Sequence, residues 1–555
     1  MNRFDRVESW FASRGFAILV LAGLLAFAGW NRFVQDDAFI SFRYAQHLIE
    51  GHGLVWNVGE AQPIEGYTNF LWVMLIAIGF VLGLEPDTWS LVLGFACGLG
   101  TLLTTYRLAR TITGRHDYAV LGVFLMGMNY SFSAYITGGL ETQLQAFLVV
   151  LSYAVAFRLE DRLKAGAGIV PHALGLSVLL ALAAMTRLDS VLLAGPAWLF
   201  AVGVVWGHRG TPMTGNAVVG RVLSALVLPG LLMGVGWFAF KWSFYGDLLP
   251  NTFYVKAGAF RIESLVAGVW YVWGFLFYYG LLLPAVILLL RYRTLLAGAR
   301  ERLLFGAVLL WSLYLIKIGG DFMEYRQIVP MLPLVFVLIA SVFHSITDML
   351  VRVGLVISLL LSSATHAETH WGFRGIEAID ELRAHVYEVG FDRGWQLVGK
   401  TLHELFRDAE SPVVIATTAA GAIPYYSELP TVDMLGLNDR YIAREGMHID
   451  AFAGHGRYAT LDYLLERNVN LVIGHPKVVP LKHTYKYTAE QMFHTTYFSE
   501  DFDLSSLPES ARVVDIKIAD NRKVVVLYLK PSPAIDRVIA AHGYRVYKPK
   551  LKLLR

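Results

Sequence analysis

Runs of about 17 to 25 mainly apolar residues recur along this chain from Phe16 to about Ala364, each near the length at which a helix crosses a bilayer core. A chain patterned in this way cannot bury its apolar surface in one water-soluble core, so lipid has to cover it. Hydrophobic residues make up 55% and charged residues only 16% of the 555 residues, and mean hydropathy is +0.50, which sets the chain apart from ordinary soluble proteins. Beyond His366 the charged fraction returns to that of a soluble chain. Residues 1–365 are therefore expected to form a membrane domain and residues 366–555 a soluble one. The net charge of +3 comes mostly from loops, with no basic stripe interleaved with aromatics, so no nucleic-acid partner is expected. Cys97, the only cysteine, excludes an intrachain disulfide and a cysteine-based zinc site.

The expected spans are Gly15 to Trp30, Trp89 to Leu108, Tyr118 to Ile136, Leu140 to Phe157, His172 to Met185, Val191 to Trp206, Val222 to Phe240, Val266 to Leu290, Leu303 to Ile318, Ile328 to Phe343 and Val351 to Ala364. Ala26-Phe27-Ala28 has the form of a signal-peptidase site, but an uncleaved first helix is the simpler reading when so many spans follow. One further run, Phe70 to Leu84, is apolar enough to insert and barely long enough to cross. Basic residues arbitrate. If this run does not cross, Arg107, Arg110 and Arg115, then Arg158, Arg162 and Lys164, then Arg209 and Arg221, then Arg291, Arg293, Arg300 and Arg302 all share the side of the N-terminal arginines. The positive-inside rule places that side in the cytoplasm. Phe70 to Leu84 is accordingly read as a juxtamembrane or re-entrant helix. About eleven spans result, with the N-terminus cytoplasmic and the C-terminal domain extracytoplasmic.

On that topology the polar turns collect on the outer face. Gln35-Asp36-Asp37 opens the first external loop, which continues through Gly53-Leu54-Val55-Trp56-Asn57 to Glu65-Gly66-Tyr67-Thr68-Asn69. Gly138-Gly139-Leu140-Glu141-Thr142, Thr186-Arg187-Leu188-Asp189, Tyr245 to Lys256 and Gly319-Gly320-Asp321-Phe322-Met323-Glu324-Tyr325-Arg326 follow. Each has an ordinary explanation taken alone: a solvated span end, an acid complementing a helix dipole, a local ion pair, a snorkelling lysine. Five such turns at the ends of helices that must pack together point to one shared cavity. Carboxylates with arginine or lysine nearby suit a reaction in which a hydroxyl loses a proton while a phosphate departs.

Asp36-Asp37-Ala38-Phe39-Ile40-Ser41-Phe42-Arg43-Tyr44-Ala45, Gly53-Leu54-Val55-Trp56-Asn57 and Glu65-Gly66-Tyr67-Thr68-Asn69-Phe70-Leu71-Trp72 resemble the GT-C glycosyltransferases, specifically the mycobacterial-type terminal arabinofuranosyltransferases. Gly138 to Thr142, Pro250 to Lys256, Gly319 to Met323 with Arg326, and Asp433-Met434-Leu435-Gly436-Leu437-Asn438-Asp439 extend the resemblance through most of the chain. It implies a polytopic α-helical GT-C fold, with juxtamembrane helices in the first loop and a C-terminal soluble α/β domain. It also implies inverting transfer of a sugar, arabinofuranose expected, from a polyprenyl-phosphate donor to a cell-envelope glycan acceptor at the bacterial inner membrane. The Asp36/Asp37 pair matches the family's general base, and Asp36 is taken as the base. Arg326, with Gly319 and Gly320 allowing backbone to approach a ligand, is the first candidate for holding the donor phosphate. Lys256, Arg187 and Arg43 are the others, because Ile64-Glu65-Gly66-Tyr67 carries no lysine where sugar-lipid relatives have one. Glu141 and Asp321 would orient sugar hydroxyls or those cations, and Tyr67, Asn69 and Asn251 complete the expected donor contacts.

No cofactor is expected beyond the lipid-linked donor itself. A divalent metal held by carboxylates of two loops is the alternative the spacing leaves open. A lipid-linked sugar transporter and a non-catalytic assembly protein are the competing classes, although no internal repeat of the transporter kind is present. In the soluble part, Pro412 to Thr417, Asn470 to Gly474 and Arg522 to Leu529 read as buried strands, and Asp380 to Val386 and Thr460 to Asn468 as helices. Tyr425, Tyr426 and Tyr441 either stack on sugars or fill a core. The topology is checked directly: with Cys97 replaced, a cysteine at Gly298 is expected to stay unreactive toward a membrane-impermeant thiol reagent in intact cells, and labelling from outside would reverse the orientation.

Overall fold

The computed structural model describes residues 14–209, 216–256, 262–369, 376–388, 390, 393–449, 456–493 and 502–550. The apolar runs form helices α1 (Arg14–Trp30), α4 (Pro86–Thr113), α5 (His116–Gly127), α7 (Thr142–Lys164), α8 (Val170–Thr186), α9 (Ser190–Gly207), α10 (Asn216–Tyr245), α12 (Ile262–Tyr278), α13 (Leu282–Leu290), α15 (Ala299–Ile318), α16 (Leu332–Ser345) and α17 (Met349–Thr369). Between them lie the shorter α2 (Asp36–Ile49), α3 (Phe70–Val81), α6 (Tyr130–Ala134), α11 (Asn251–Lys256) and α14 (Tyr292–Leu295). Among the described residues six helices are long and apolar enough to cross a membrane. They are α4, α7, α9, α10, α17 and the continuous stretch Arg326–Ser345, which includes α16.

Two expected spans come out differently. Val266 to Leu290 is not one straight helix but α12 and α13, bent by 95° at the break between them. Tyr118 to Ile136 ends its main helix at Gly127, and the chain continues through the five-residue α6. Asn129 caps α6 by accepting from the Phe132 amide, which starts a new helix there. Phe70 to Leu84 forms the 12-residue α3. At 1.5 Å per residue it reaches about 18 Å, well short of a 30 Å hydrocarbon core. Trp72 ties it down, its indole donating to the Gly139 carbonyl at 3.0 Å.

The C-terminal part carries a six-stranded mixed sheet in the order β2-β1-β5-β7-β6-β8. Its strands are β1 (Ile415–Thr417), β2 (Thr431–Asp433), β5 (Leu471–Pro480), β6 (Arg512–Ala519), β7 (Arg522–Tyr528) and β8 (Arg545–Tyr547). β3 (Met447–His448) and β4 (Arg457–Tyr458) form a separate pair. β1 runs parallel to both β2 and β5, and the remaining pairs are antiparallel. The central strands are buried along nearly their whole length, so they read as continuous apolar runs in the sequence. The helices α18 (Ile379–Tyr387), α19 (Trp395–Phe406) and α20 (Ala422–Ser427) lie between the last long apolar helix and β2.

The first loop of the chain joins the two parts. Arg43, 3% exposed, donates from Nε to the Trp56 carbonyl at 2.8 Å and from its two terminal nitrogens to the carbonyls of Pro424 and Leu429 and to Asn57 Oδ1. Burial lowers its pKa to about 10, so it stays charged at neutral pH. Asn57 uses its amide as a strand would use its backbone, accepting from the Thr431 amide and donating to the Thr431 carbonyl, both at 3.0 Å. In this way it covers the exposed edge of β2. Asp36 accepts from the backbone amides of Gly421 at 3.0 Å and Ala422 at 2.7 Å, where α20 begins. The approach is so close that a Cβ at Gly421 would collide with the Asp36 carbonyl, so only glycine fits. The Asp433 to Asn438 turn is shaped by Asp433, which accepts from the amides of Leu435 and Asn438 at 3.0 and 2.9 Å, while Tyr44 donates to Asn438 Oδ1 at 3.3 Å.

Replacing Arg43 with leucine strands three buried carbonyls, and the thermal transition of the detergent-purified protein is expected to drop by an amount equivalent to about 2–4 kcal/mol. An unchanged transition would mean that the junction does not rest on this guanidinium. Asp36 gives a pH dependence with a definite sign. Burial, opposed by the Ala422 and Gly421 amides and reinforced by Asp37, raises its pKa from 3.8 to about 7. Between those values the folded chain holds a proton that the unfolded chain has released, so the stability Asp36 contributes falls as pH rises from about 4 to about 7. Asp36→Asn is expected to flatten that part of the profile; a variant that retains the wild-type slope would locate the titration elsewhere.

Candidate functional site

Glu141 ends the Gly138-Gly139 turn and immediately precedes α7; it is only 1% exposed. Its Oε1 faces two arginines from distant segments, Arg187 Nη1 at 3.2 Å and Arg326 Nη2 at 3.3 Å. Its Oε2 accepts from Asn69 Nδ2 at 2.9 Å. Asn69 is itself held by Ser41 of α2, to which its amide donates at 3.1 Å. Burial alone would raise the pKa of Glu141, but Arg326, Arg187 and the Asn69 hydrogen bond more than offset it and hold the carboxyl below its ordinary value. Arg187 also forks onto Asp189, at 3.1 Å from Nε and 2.8 Å from Nη2, and Asp189 accepts from the Tyr314 hydroxyl at 3.1 Å. Four of the polar turns thus meet at one end of the helical bundle, the end that the C-terminal α/β part covers.

Arg326 is less fully engaged than Arg187. Its side chain is 11% exposed and makes one hydrogen bond to a charged oxygen, on Glu141. Its other polar neighbours among the described residues are the Met323 thioether, a weak acceptor at 3.0 Å, and Asp321 at 4.0 Å, too far for a hydrogen bond. A guanidinium offers five donors, so several of those on Arg326 remain able to meet an incoming anion. Asp37 lies near enough for its charge to act on Arg326. It is half-buried, unlike Asp36, and its own amide donates to Gln35 Oε1 at 2.6 Å, capping α2. Gly319 and Gly320 turn the chain at φ 85° and 79°, and a Cβ on Gly320 would run into the Tyr271 ring. These glycines therefore serve the turn and its packing, a role different from the expected approach of backbone to ligand.

Arg43, Asn251 and Tyr67 make their contacts elsewhere. Arg43 is consumed by the junction described above. Asn251 donates to the carbonyls of Gly436, Leu437 and Asp439 at 2.8, 3.1 and 3.0 Å, and its oxygen accepts from Arg444 at 3.2 Å. It holds the 436–439 turn and has no donor left for a sugar. Tyr67, 3% exposed, shares a 3.0 Å hydrogen bond with the Tyr245 hydroxyl and packs edge-on to Tyr44. Lys256 ends α11, but its side chain lies outside the described residues. Tyr425 and Tyr426 pack on Phe39 at ring distances of 5.4 and 5.3 Å. Among the described residues no three His, Cys, Asp or Glu side chains are grouped to hold a metal, and arginines face the carboxylates of the cluster instead.

Sequence reasoning missed the ion pair between Lys241 and Glu65, 2.9 Å apart and 2% and 4% exposed. Lys241 is hidden inside the apolar run of α10, with its ammonium 4.9 Å from the Trp237 ring centre. Burial, opposed by Lys241, raises the Glu65 pKa to about 7. A lone lysine directly after the expected span Val222 to Phe240 was the available signal, since charge at membrane depth is costly unless partnered. Also unexpected is an open polar cavity of about 370 Å³ beside α18, lined by Ala378, Asp380, Glu381, Arg383, Glu388 and Arg393.

Residues 384–525 match the model of a domain of unknown function, DUF8728. Over 375 residues the chain is 28% identical to a terminal beta-(1->2)-arabinofuranosyltransferase of Corynebacterium glutamicum, a match covering 58% of this chain and 50% of that relative. A Mycobacterium tuberculosis protein of the same name is 26% identical over 363 residues, 58% of this chain and 53% of the relative. The chain thus spans about half the length of the curated relatives it matches. Among solved structures, ArnT from Cupriavidus metallidurans in the apo state superposes with a TM-score of 0.57 at 13% identity, covering 93% of this chain and 98% of that one. At that identity the likeness speaks to fold alone. The fold is of the GT-C type, and in sequence the chain resembles the terminal arabinofuranosyltransferases.

Proposed function

We propose that the chain transfers a sugar, arabinofuranose, from a polyprenyl-phosphate carrier to a cell-envelope glycan, with inversion at the anomeric carbon. The observation that carries this reading is Arg326, a guanidinium nearly nine-tenths buried, aligned by Glu141 yet retaining unused donors, with the carboxylate Asp37 close by. Support also comes from the names of the curated relatives and from the ArnT structure bound to undecaprenyl phosphate, which superposes with a TM-score of 0.53. The chain lies in the inner membrane on this reading, with the N-terminus cytoplasmic and the reaction on the extracytoplasmic side, where a lipid-linked donor is accessible.

In the reaction, the acceptor hydroxyl oxygen attacks C1 of the sugar while the bond from C1 to the phosphate oxygen breaks. The hydroxyl proton passes to Asp37. We assign the base to Asp37, whose charge acts on Arg326, whereas Asp36 binds the backbone amides of the C-terminal part. The carrier phosphate leaves with one more negative charge than it had in the donor, and Arg326 and Arg187 stabilise that charge. Asn69 holds Glu141 in place, and Asp321 faces Arg326 at 4.0 Å.

The test is turnover by the purified full chain with a panel of polyprenyl-phosphate sugars and a glycan acceptor, followed by linkage analysis. Asp37→Asn is expected to reduce transfer roughly 100-fold or more. Arg326→Ala is expected to cost on the order of 100-fold as well. Full activity in both variants, or turnover with every sugar except arabinofuranose, would overturn this assignment.

A further inference from the structure

Arg326 follows a residue in an uncommon conformation. Tyr325 sits at φ 48° and ψ 19°, in the left-handed region, where a bulky side chain is strained and persists only if its surroundings fix it. What fixes it is visible on both sides. The Tyr325 ring is 1% exposed and packs against Tyr271 and Phe275 of α12 at 5.4 and 5.2 Å. The residue before it, Glu324, is 2% exposed and has both carboxylate oxygens engaged. Oε1 lies 2.5 Å from His366 Nε2 on α17, and Oε2 accepts from the Ile379 amide at 2.9 Å, where α18 begins. The backbone is strapped as well: the Glu324 amide donates to the Glu377 carbonyl at 3.1 Å and the Glu377 amide to the Phe322 carbonyl at 2.7 Å.

His366 is enclosed by the rings of Tyr278, Tyr279 and Tyr325 at 5.4, 5.0 and 5.8 Å, and its Nδ1 is buried with no hydrogen-bond partner among the described residues. A carboxylate oxygen can only accept, so Nε2 is the ring nitrogen that donates to Glu324. Neither Glu324 nor His366 touches the Glu141 cluster, so stabilising that ion pair is not their task.

We propose that Glu324 and His366 are positioning residues: together they hold Tyr325 in its left-handed conformation and so aim the Arg326 guanidinium at the anion site. This rests on the reading of Arg326 as a phosphate-binding residue. It also makes the anion site depend on the junction, because the Glu324 clamp joins α17 to the segment leading into the C-terminal α/β part.

The experiment measures binding of undecaprenyl phosphate to the full chain in detergent, alongside thermal unfolding to confirm that each variant is folded. Glu324→Gln places an amide between two donors and is expected to weaken binding about tenfold, since misplacing a binding group by 1 Å is enough for such a loss. His366→Gln keeps an N–H at the ε position and is expected to bind as wild type does, whereas His366→Leu loses affinity as Glu324→Gln does. The decisive comparison is the double variant Glu324→Gln/Arg326→Ala. If Glu324 acts through Arg326, the double binds no more weakly than Arg326→Ala alone. Additive losses, or wild-type affinity in a folded Glu324→Gln or His366→Leu variant, would reject the positioning role while leaving the phosphate site intact. Wild-type affinity in Arg326→Ala would reject the phosphate site itself.

Discussion

A carboxylate removed from water stays ionised only if enough positive charge and hydrogen bonding surround it, and Glu141 obtains both from three separate parts of the chain. Arg187 arrives from the turn between α8 and α9, Arg326 from the Gly-Gly-Asp turn, and Asn69 from the loop that precedes α3. None of these segments is close to another in sequence, so pairing them fixes how the helices carrying them are arranged. Removing a partner from such a cluster leaves a buried charge uncompensated, which costs far more than a surface ion pair contributes. The helix ends are locked by this one acidic group.

The junction with the C-terminal part follows the same rule with backbone groups in place of charges. Asp36 satisfies the two amides at the start of α20, Arg43 satisfies carbonyls of Pro424 and Leu429, Asn57 closes the β2 edge, and Asn251 gathers three carbonyls of the 436–439 turn. Each is a polar side chain from the loops of the membrane part doing the hydrogen bonding that water or a neighbouring strand would otherwise do. The C-terminal part is consequently docked through specific, directional contacts to the loop that also carries Asp37. Positions of the acid pair and of the α/β part are thereby linked.

That linkage explains which features were legible in the sequence. The apolar runs and the arginine-rich loops give the helices directly, and demoting Phe70 to Leu84 agrees with the short helix formed there. The strands around Ile415, Leu471 and Val524 were readable because buried strands appear as unbroken apolar runs. The convergence of Glu141, Arg187, Asn69, Asp321 and Arg326 was suggested by polar turns sharing one side. Composition, however, does not distinguish a polar side chain that meets a ligand from one that satisfies a carbonyl 381 residues away, as Arg43 does at Pro424. Arg43, Asn251 and Tyr67 fell on the wrong side of that distinction. The 95° break between α12 and α13 falls at Gly280, which takes φ 65°, with Pro284 four residues on, a helix-stop signal inside the apolar run, and Lys241 was obscured by its apolar neighbours.

The neutralised state of the cluster bears on catalysis under the proposed reading. Opposing carboxylates weaken the attraction of Arg326 and Arg187 for any anion, and a site built only for tight donor binding would omit them. A sugar-phosphate-lipid diester carries a single negative charge, whereas the departing monoester develops a second. Arginines already held in place by Glu141 and Asp189 need no reorganisation as that second charge appears, so their stabilisation grows along the reaction coordinate. The same carboxylates reduce the grip on the singly charged ground state. The counter-charges lower the pull on both states, so what they contribute to transfer is alignment: guanidinium groups already fixed in place when the second charge develops.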